Sequence, residues 1–232
     1  MELINRLQHF TPLDGFAIGF LWLCWALIGW RIEHPAKSRP STSRLMAQFR
    51  RDWMTQMVTR EPRIFDASIL DTLRQGITFY ASACLITLGG GIALLGNTER
   101  LLGVAADLTL MPVPAIIWEV KILTVLLIIT SAMLKFIWAH RLFGYCAVIM
   151  ASVPNDVEDA KTLPRARQAA EINITATRAF NRGLRSLYFA LAAMTWLLGP
   201  EALLIATLVT VFVTWRREFA SLSRRILLGE LP

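Results

Sequence analysis

Apolar and polar residues occupy long alternating blocks of this chain rather than the short periods of a soluble fold. Runs at 13–32, 75–96 and 115–138 hold few charged residues, and a further apolar run follows at 184–216. A helix needs about 20 apolar residues to cross the hydrocarbon of a bilayer, so each of the first three runs predicts one crossing. The last run is too long for one. Its 32 residues at 184–215 would make a straight helix of roughly 48 Å, against a hydrocarbon core of about 30 Å. Gly199, Pro200 and Glu201 sit at its middle. It is therefore either one long kinked helix or two short ones, 184–198 and 201–216, folded back at Gly199 and Pro200.

The polar links carry helical patterns of their own. After the first crossing, Ser41 or Ser43 can cap a helix in which Met46, Phe49, Trp53 and Met57 recur at helical spacing among Arg44, Arg50, Arg51 and Arg60. Aromatic and Met residues on one stripe with Arg beside them fit a helix lying on anionic lipid, with Phe49, Arg50, Arg51 and Trp53 as the lipid-surface residues. The alternative is a helix packed on the rest of the protein. Glu61, Pro62 and Arg63 end it, and Asp66 or Ser68 can restart a helix that runs into the second crossing. There Gly76, Tyr80, Ala83, Thr87 and Gly90 share a face, and small residues let helix backbones approach, so Gly76, Ala83 and Gly90 are candidate helix-packing positions. The apolar pattern of the third crossing continues to Val153, too short to recross, and predicts a helical extension leaving the membrane. Asn155 and Glu158 then have capping-box spacing, and Pro164 predicts the start of a further helix.

Composition agrees with these blocks, since 55% apolar against 18% charged residues exceeds what a soluble domain of 232 residues uses. The net charge of +7 would suggest nucleic acid on one soluble surface, but the Arg residues lie in the links, where anionic lipid headgroups are the expected partner and nucleic acid is not. Lys and Arg in short loops stay cytoplasmic. One such residue precedes the first crossing, nine lie at 31–74, one at 97–114, seven at 141–185 and four after Trp215. With the N-terminus outside, the nine and the seven fall in the cytoplasm, and a turn at Gly199 and Pro200 returns the tail there, so that 20 of the 24 lie inside. Glu201 at a hairpin tip would also reach water instead of standing at the bilayer midplane. The first run has no basic start beyond Arg6 and no small-residue cleavage site, which predicts a retained crossing. The expected architecture is an all-α bundle of five crossings in the cell inner membrane. It forms a single integral domain, with cytoplasmic segments 33–74, 139–183 and 217–232.

Candidate chemistry is sparse. Lys121, Thr124, Ile128, Ser131 and Lys135 follow steps of three and four and share one face of the third crossing. Lys121, Thr124, Ser131 and Lys135 thus form a candidate intramembrane polar stripe suited to an anion, because ionisable groups in a crossing are expensive. The simpler reading is that the lysine stems snorkel to water and the hydroxyls bond their own backbone. Cys24, Cys84 and Cys146 show no paired spacing, and His34 and His140 fall singly at predicted cytoplasmic ends. No disulfide, metal, cofactor or catalytic residue is expected.

Several stretches carry a resemblance. They are Arg60, Glu61, Pro62 and Arg63 with Asp66 and Ala67; Phe79, Ala81 and Ser82; Phe143, Tyr145 and Cys146; Phe180 to Arg185 with Tyr188, Phe189 and Ala190; and Arg216, Arg217, Glu218 and Phe219. In these the chain resembles the multi-pass proteins of bacteria and plants grouped as domain of unknown function 599. The segment Asn181, Arg182 and Gly183 is the most specific part. The resemblance implies a membrane location and no particular activity. The function expected is a non-catalytic membrane component that forms a homo-oligomer or serves a larger complex as an accessory subunit. An oligomeric channel or transporter, and a lipid-acting membrane enzyme, are the alternatives.

Overall fold

The computed structural model describes residues 10–97, Gly103 and 114–230, and these contain helices and no strand. The predicted link at 97–114 lies almost wholly outside the described residues. In chain order the helices are α1 (Pro12–Glu33), α2 (Thr42–Met57), α3 (Ile64–Leu95), α4 (Ala115–Ala151), α5 (Thr162–Met194), α6 (Pro200–Phe219) and α7 (Leu222–Leu227). Three of them, α1, α3 and α4, are long and apolar enough to cross a membrane.

Local chemistry explains most boundaries. Thr11 and Asp14 form a capping box ahead of α1: the Asp14 amide donates to Thr11 Oγ1 at 3.2 Å and the Thr11 amide to Asp14 Oδ2 at 3.0 Å. Pro12 takes the first helical position, where a missing N–H costs nothing. Of the two predicted caps for α2, Ser41 is the one used, accepting from the Arg44 amide at 3.3 Å. The apolar tail of the third run continues α4 without a break to Ala151.

The capping box expected at Asn155 and Glu158 does not form. Asp156 Oδ1 instead accepts from the Glu158 amide at 2.9 Å, and Asp159 Oδ1 from the Lys161 amide at 2.7 Å. Short acidic side chains compete for backbone donors and hold turns where a helix would have begun. Helix α5 starts only at Thr162, with Pro164 in its first turn.

The last apolar run is broken where the sequence places Gly199 and Pro200. Helix α5 tightens into a 3₁₀ turn at Thr195–Leu198, Gly199 takes φ +134°, and Pro200 opens α6. A side chain is disfavoured at that φ, and the next residue has no amide hydrogen to offer a continuing helix.

The described residues fall into two compact units. Unit 1 draws on Met1–Arg31, Ala83–Ala132 and Leu184–Trp215, and unit 2 on Ile32–Ser82, Met133–Gly183 and Arg216–Pro232. Their compositions differ sharply, since unit 2 holds 19 of the 24 Lys and Arg residues. Unit 1 has an apolar core of Trp118, Ile122 and Leu126, packed by Leu88, Leu94, Leu95 and Leu197.

In unit 2 the rings of Tyr80, Phe136 and Phe180 meet pairwise with centroids 5.6 to 5.7 Å apart. Gly183 lies against this cluster, and a Cβ there would stand 2.5 Å from Phe136 Cε1. Phe136 is fully buried between the other two rings and has nowhere to move. Gly183→Ala is therefore expected to destabilise the protein by about 1–3 kcal/mol through overpacking, whereas Gly76→Ala, with open space at its Cβ position, should not. Thermal unfolding of the two variants in detergent checks the contrast.

Candidate functional site

A helix begins with amide groups that lack partners and with a partial positive charge. At the start of α2 that demand is met by a residue far along the chain. Glu218 Oε2 accepts from the Ser43 amide at 3.0 Å and Oε1 from the Ser43 hydroxyl at 2.8 Å. Thr42 donates its hydroxyl to the carbonyls of Glu218 at 3.1 Å and Arg217 at 3.3 Å, and Arg39 donates to the Phe219 carbonyl at 3.3 Å. Arg224 returns a bond to the Pro40 carbonyl at 3.0 Å. Asn181, near the middle of α5, also donates to Ser43 Oγ at 3.4 Å.

Asn181 and Glu218 thus meet at one serine although they lie 37 positions apart. One straight helix would hold them roughly 55 Å apart. The chain therefore folds back between them, with the break of the helix at Gly199. Beside this joint Arg182 grips Glu33 through two nitrogens, Nε at 2.7 Å and Nη2. The hydrogen bond to Glu33 raises the Arg182 pKa above its ordinary value.

A second joint gathers the residues read as a lipid surface. Trp53 Nε1 donates to Asp66 Oδ1 at 2.6 Å, and Arg60 pairs with the same oxygen at 2.5 Å. Asp66 is fully buried. Arg50 donates to Asn173 Oδ1, and burial lowers its pKa below the usual guanidinium value. Arg51 pairs with Glu171 at 2.7 Å in an exposed position. Of the four, Phe49 is exposed and Arg50, Arg51 and Trp53 are engaged by protein groups. Helix α2 takes the packed alternative along this face, with Ala47, Met54 and Met57 buried. Arg63 completes the joint by donating to the carbonyls of Val153 at 2.7 Å and Pro154 at 2.9 Å.

Unit 1 contains a polar cluster that the sequence reading only half found. Asp14 Oδ1 accepts from Trp196 Nε1 at 2.7 Å, and Lys121 Nζ lies 5.6 Å from the centroid of the Trp196 ring. Asp14 and Lys121 are both buried and within electrostatic reach of each other. Trp118 Nε1, also in unit 1, is buried with no hydrogen-bond partner among the described residues. Nothing local in the sequence marks Asp14, because its tryptophan partner lies 182 positions away.

The predicted polar stripe lies along α4. Lys121 belongs to unit 1 and Lys135 to unit 2, and Ile128 between them is buried. Thr124 donates to the Val120 carbonyl at 2.8 Å, in its own helix. Gly76, Ala83 and Gly90 are exposed, and among the described residues no atom lies within 4 Å of a Cβ at Gly76 or Gly90.

Two clefts open in unit 2 beside the first part of α3. One of about 380 Å³ is lined by Met57, Leu70, Ala147 and Met150 with Arg63 and Arg74. The other, shallower and about 470 Å³, is lined by Arg74, Thr78, Phe79, Ser82 and His140. Asp71 lines both, accepting from Gln75 Nε2 at 2.8 Å.

The model of the family described as "Protein of unknown function, DUF599" matches residues 16–223. The chain belongs to this family. No curated protein and no solved structure matches it. Three of the stretches on which the resemblance was read, Arg60 to Asp66, Asn181 to Gly183 and Arg216 to Phe219, contribute to the joints of unit 2. If the Ser43 and Glu218 contact acts as a unit, Ser43→Ala and Glu218→Ala will be non-additive. A double-mutant cycle by reversible unfolding in detergent should give a coupling of about 0.5–3 kcal/mol, and additivity would mean that the Ser43 hydroxyl and the Glu218 carboxylate do not act together.

Proposed function

We propose that this chain is a non-catalytic, self-associating component of the cell inner membrane. In this reading it crosses five times, with its N-terminus outside and unit 2 on the cytoplasmic side. The observation that carries self-association is the outward face of α3. Only 11% of the most apolar window of that helix is buried against the chain, compared with 44% for α4, and Gly76, Ala83 and Gly90 lie open along it. Small residues on an exposed crossing are what a second helix needs for close approach in lipid, where van der Waals contact and not the hydrophobic effect drives association.

Two features support the topology. The cations concentrate in unit 2, as the positive-inside bias demands of a cytoplasmic surface. Helix α6 begins with Glu201 and ends with Arg216 and Arg217, a charge order that suits a short fifth crossing returning to the cytoplasm with snorkelling ends.

An anion channel, the alternative, has buried Lys121 in its favour. Against it stand Asp14, which balances that charge, and Ile128, which interrupts the stripe toward Lys135.

Intact-mass measurement of protein purified gently from native membranes should give a homo-oligomer. Gly76→Leu with Gly90→Leu should shift it to monomer without loss of thermal stability, since both side chains enter open space. A monomeric wild type, or an oligomer indifferent to both leucines, would remove the proposal. For the topology, a fluorescent reporter active only in the cytoplasm should shine when fused after Pro232, and a periplasm-active phosphatase there should stay silent. The reverse pattern excludes the fifth crossing.

A further inference from the structure

The surface that composition assigned to α2 is taken up by protein groups, which engage Arg50, Arg51 and Trp53. A surface of the same chemistry stands open on α7, which packs on α2. Ser221 caps this short helix, accepting from the Arg224 amide at 3.2 Å. Arg224 and Leu227, three positions apart, are half-buried on its inward side. Leu222, Arg225 and Ile226 stand three and four positions from one another's turn and share the outward side, where all are exposed. Leu228, just beyond, is exposed as well.

The ends of two apolar runs fix the height of α7. It begins seven positions after Trp215, where the last run stops. From the helix, Arg224 donates to the Pro40 carbonyl at 3.0 Å, and the neighbouring Ser41 donates its hydroxyl to the Ile32 carbonyl at 3.1 Å. Ile32 is the last residue of the first run. When the runs span the hydrocarbon, α7 therefore stands at the rim, in or beside the layer of about 5–7 Å that headgroups occupy on each side. Lys37, Arg44, Arg216 and Arg217 are exposed around the same joint. Of the acids nearby, Glu33 is engaged by Arg182 and Glu218 by Ser43, and Glu230 is exposed. Basic residues clustered immediately beyond a crossing, beside exposed Leu and Ile, suit an anionic leaflet.

We propose that α7 is an interfacial anchor for anionic phospholipid. Leu222 and Ile226 enter the boundary between headgroups and acyl chains, while Arg225 and Arg216 reach phosphate oxygens from snorkelling stems. Six residues are too few to hold a membrane alone. Joined to the end of α6 through Ala220 and Ser221, however, the helix is already at the surface, and tethering supplies the effective concentration that a free peptide lacks. A second copy of the chain fits this face poorly, because a two-fold pairing would set Arg225 and Arg216 against their own kind. The proposal rests on the membrane reading but not on self-association, which was placed on α3.

The test puts a nitrobenzoxadiazole label on the full chain in nanodiscs of phosphatidylglycerol mixed with phosphatidylcholine. Lipid carrying a headgroup nitroxide and aqueous iodide serve as the two quenchers. Leu222→Cys and Ile226→Cys carry the label. Cys84 and Cys146 are buried, and unsubstituted protein taken through the same labelling gives the background from Cys24. Lipid nitroxide should quench both labels. Iodide should instead quench a label at Val157→Cys, which is 48% exposed against 47% for Ile226 but follows α4 after that helix has run 13 residues past Trp138. In discs of phosphatidylcholine alone, and in Arg225→Gln, the ratio of lipid to iodide quenching at 222 should fall about fivefold, the scale of one basic residue at an anionic surface. Arg216→Gln should lower it in the same direction and serves if Arg225→Gln does not fold. Iodide quenching at 222 and 226 as strong as at 157 overturns the proposal, since the face is then in water. Protection from both quenchers overturns it because protein then covers the face, and equal ratios in the two kinds of disc overturn it because charge then plays no part. Quenching unchanged by Gly76→Leu with Gly90→Leu keeps the outcome separate from that of self-association.

Discussion

The carboxylate of Glu218 at the start of α2 is the contact on which the arrangement of the polar half of this protein turns. It answers the unpaired amides and positive end of that helix, engages the hydroxyl of Ser43, and brings in the backbone of residues 217 to 219 through Thr42 and Arg39. Because Asn181 reaches the same serine, one residue of α2 holds both arms of the fold-back that Gly199 permits. The energy of such a joint does not lie in any one bond. It lies in the fact that three segments far apart in sequence satisfy one another's donors and acceptors, so that loosening any of them strands polar groups of the other two.

The apolar segments were legible in the sequence because the signal for them is local. Hydrocarbon thickness dictates a run length, and α1, α3 and α4 carry it within their own residues. The break at Gly199 was legible for the same reason, through the backbone chemistry of two adjacent residues. The packing of α2 was not. Phe49, Arg50, Arg51 and Trp53 have the composition of a membrane-surface helix, and what separates that from a packed helix is whether Asn173, Glu171 and Asp66 are at hand. Two of those partners lie about 120 positions away, and no local pattern encodes them. The pairing of Asp14 with Trp196 escaped notice in the same way. The capping-box spacing at Asn155 fails for a different reason, since an acid inside the expected first turn captures the amide itself.

The small residues separate into two groups that spacing alone could not distinguish. Gly183 is small because Phe136 occupies the volume its side chain would need, while Gly76 and Gly90 have no described atom within 4 Å of a Cβ. Helical periodicity says which residues share a face. It does not say whether the face meets a neighbour in the same chain, lipid, or another copy. Likewise the lysines at 121 and 135 share a helix face and have unlike surroundings, one buried beside an indole and a carboxylate and the other in the cation-rich unit.

Arg63 ties the start of α3 to the end of α4 through the carbonyls of Val153 and Pro154 and not through any side chain there. Every amino acid supplies a carbonyl, so as far as this tie is concerned positions 153 and 154 can drift freely while position 63 cannot. Nor does the tie involve a carboxylate, as the joints at Asp66 and Glu218 do. The connection between α3 and α4 is thus independent of the carboxylates of Asp66 and Glu218 that hold the neighbouring joints of unit 2.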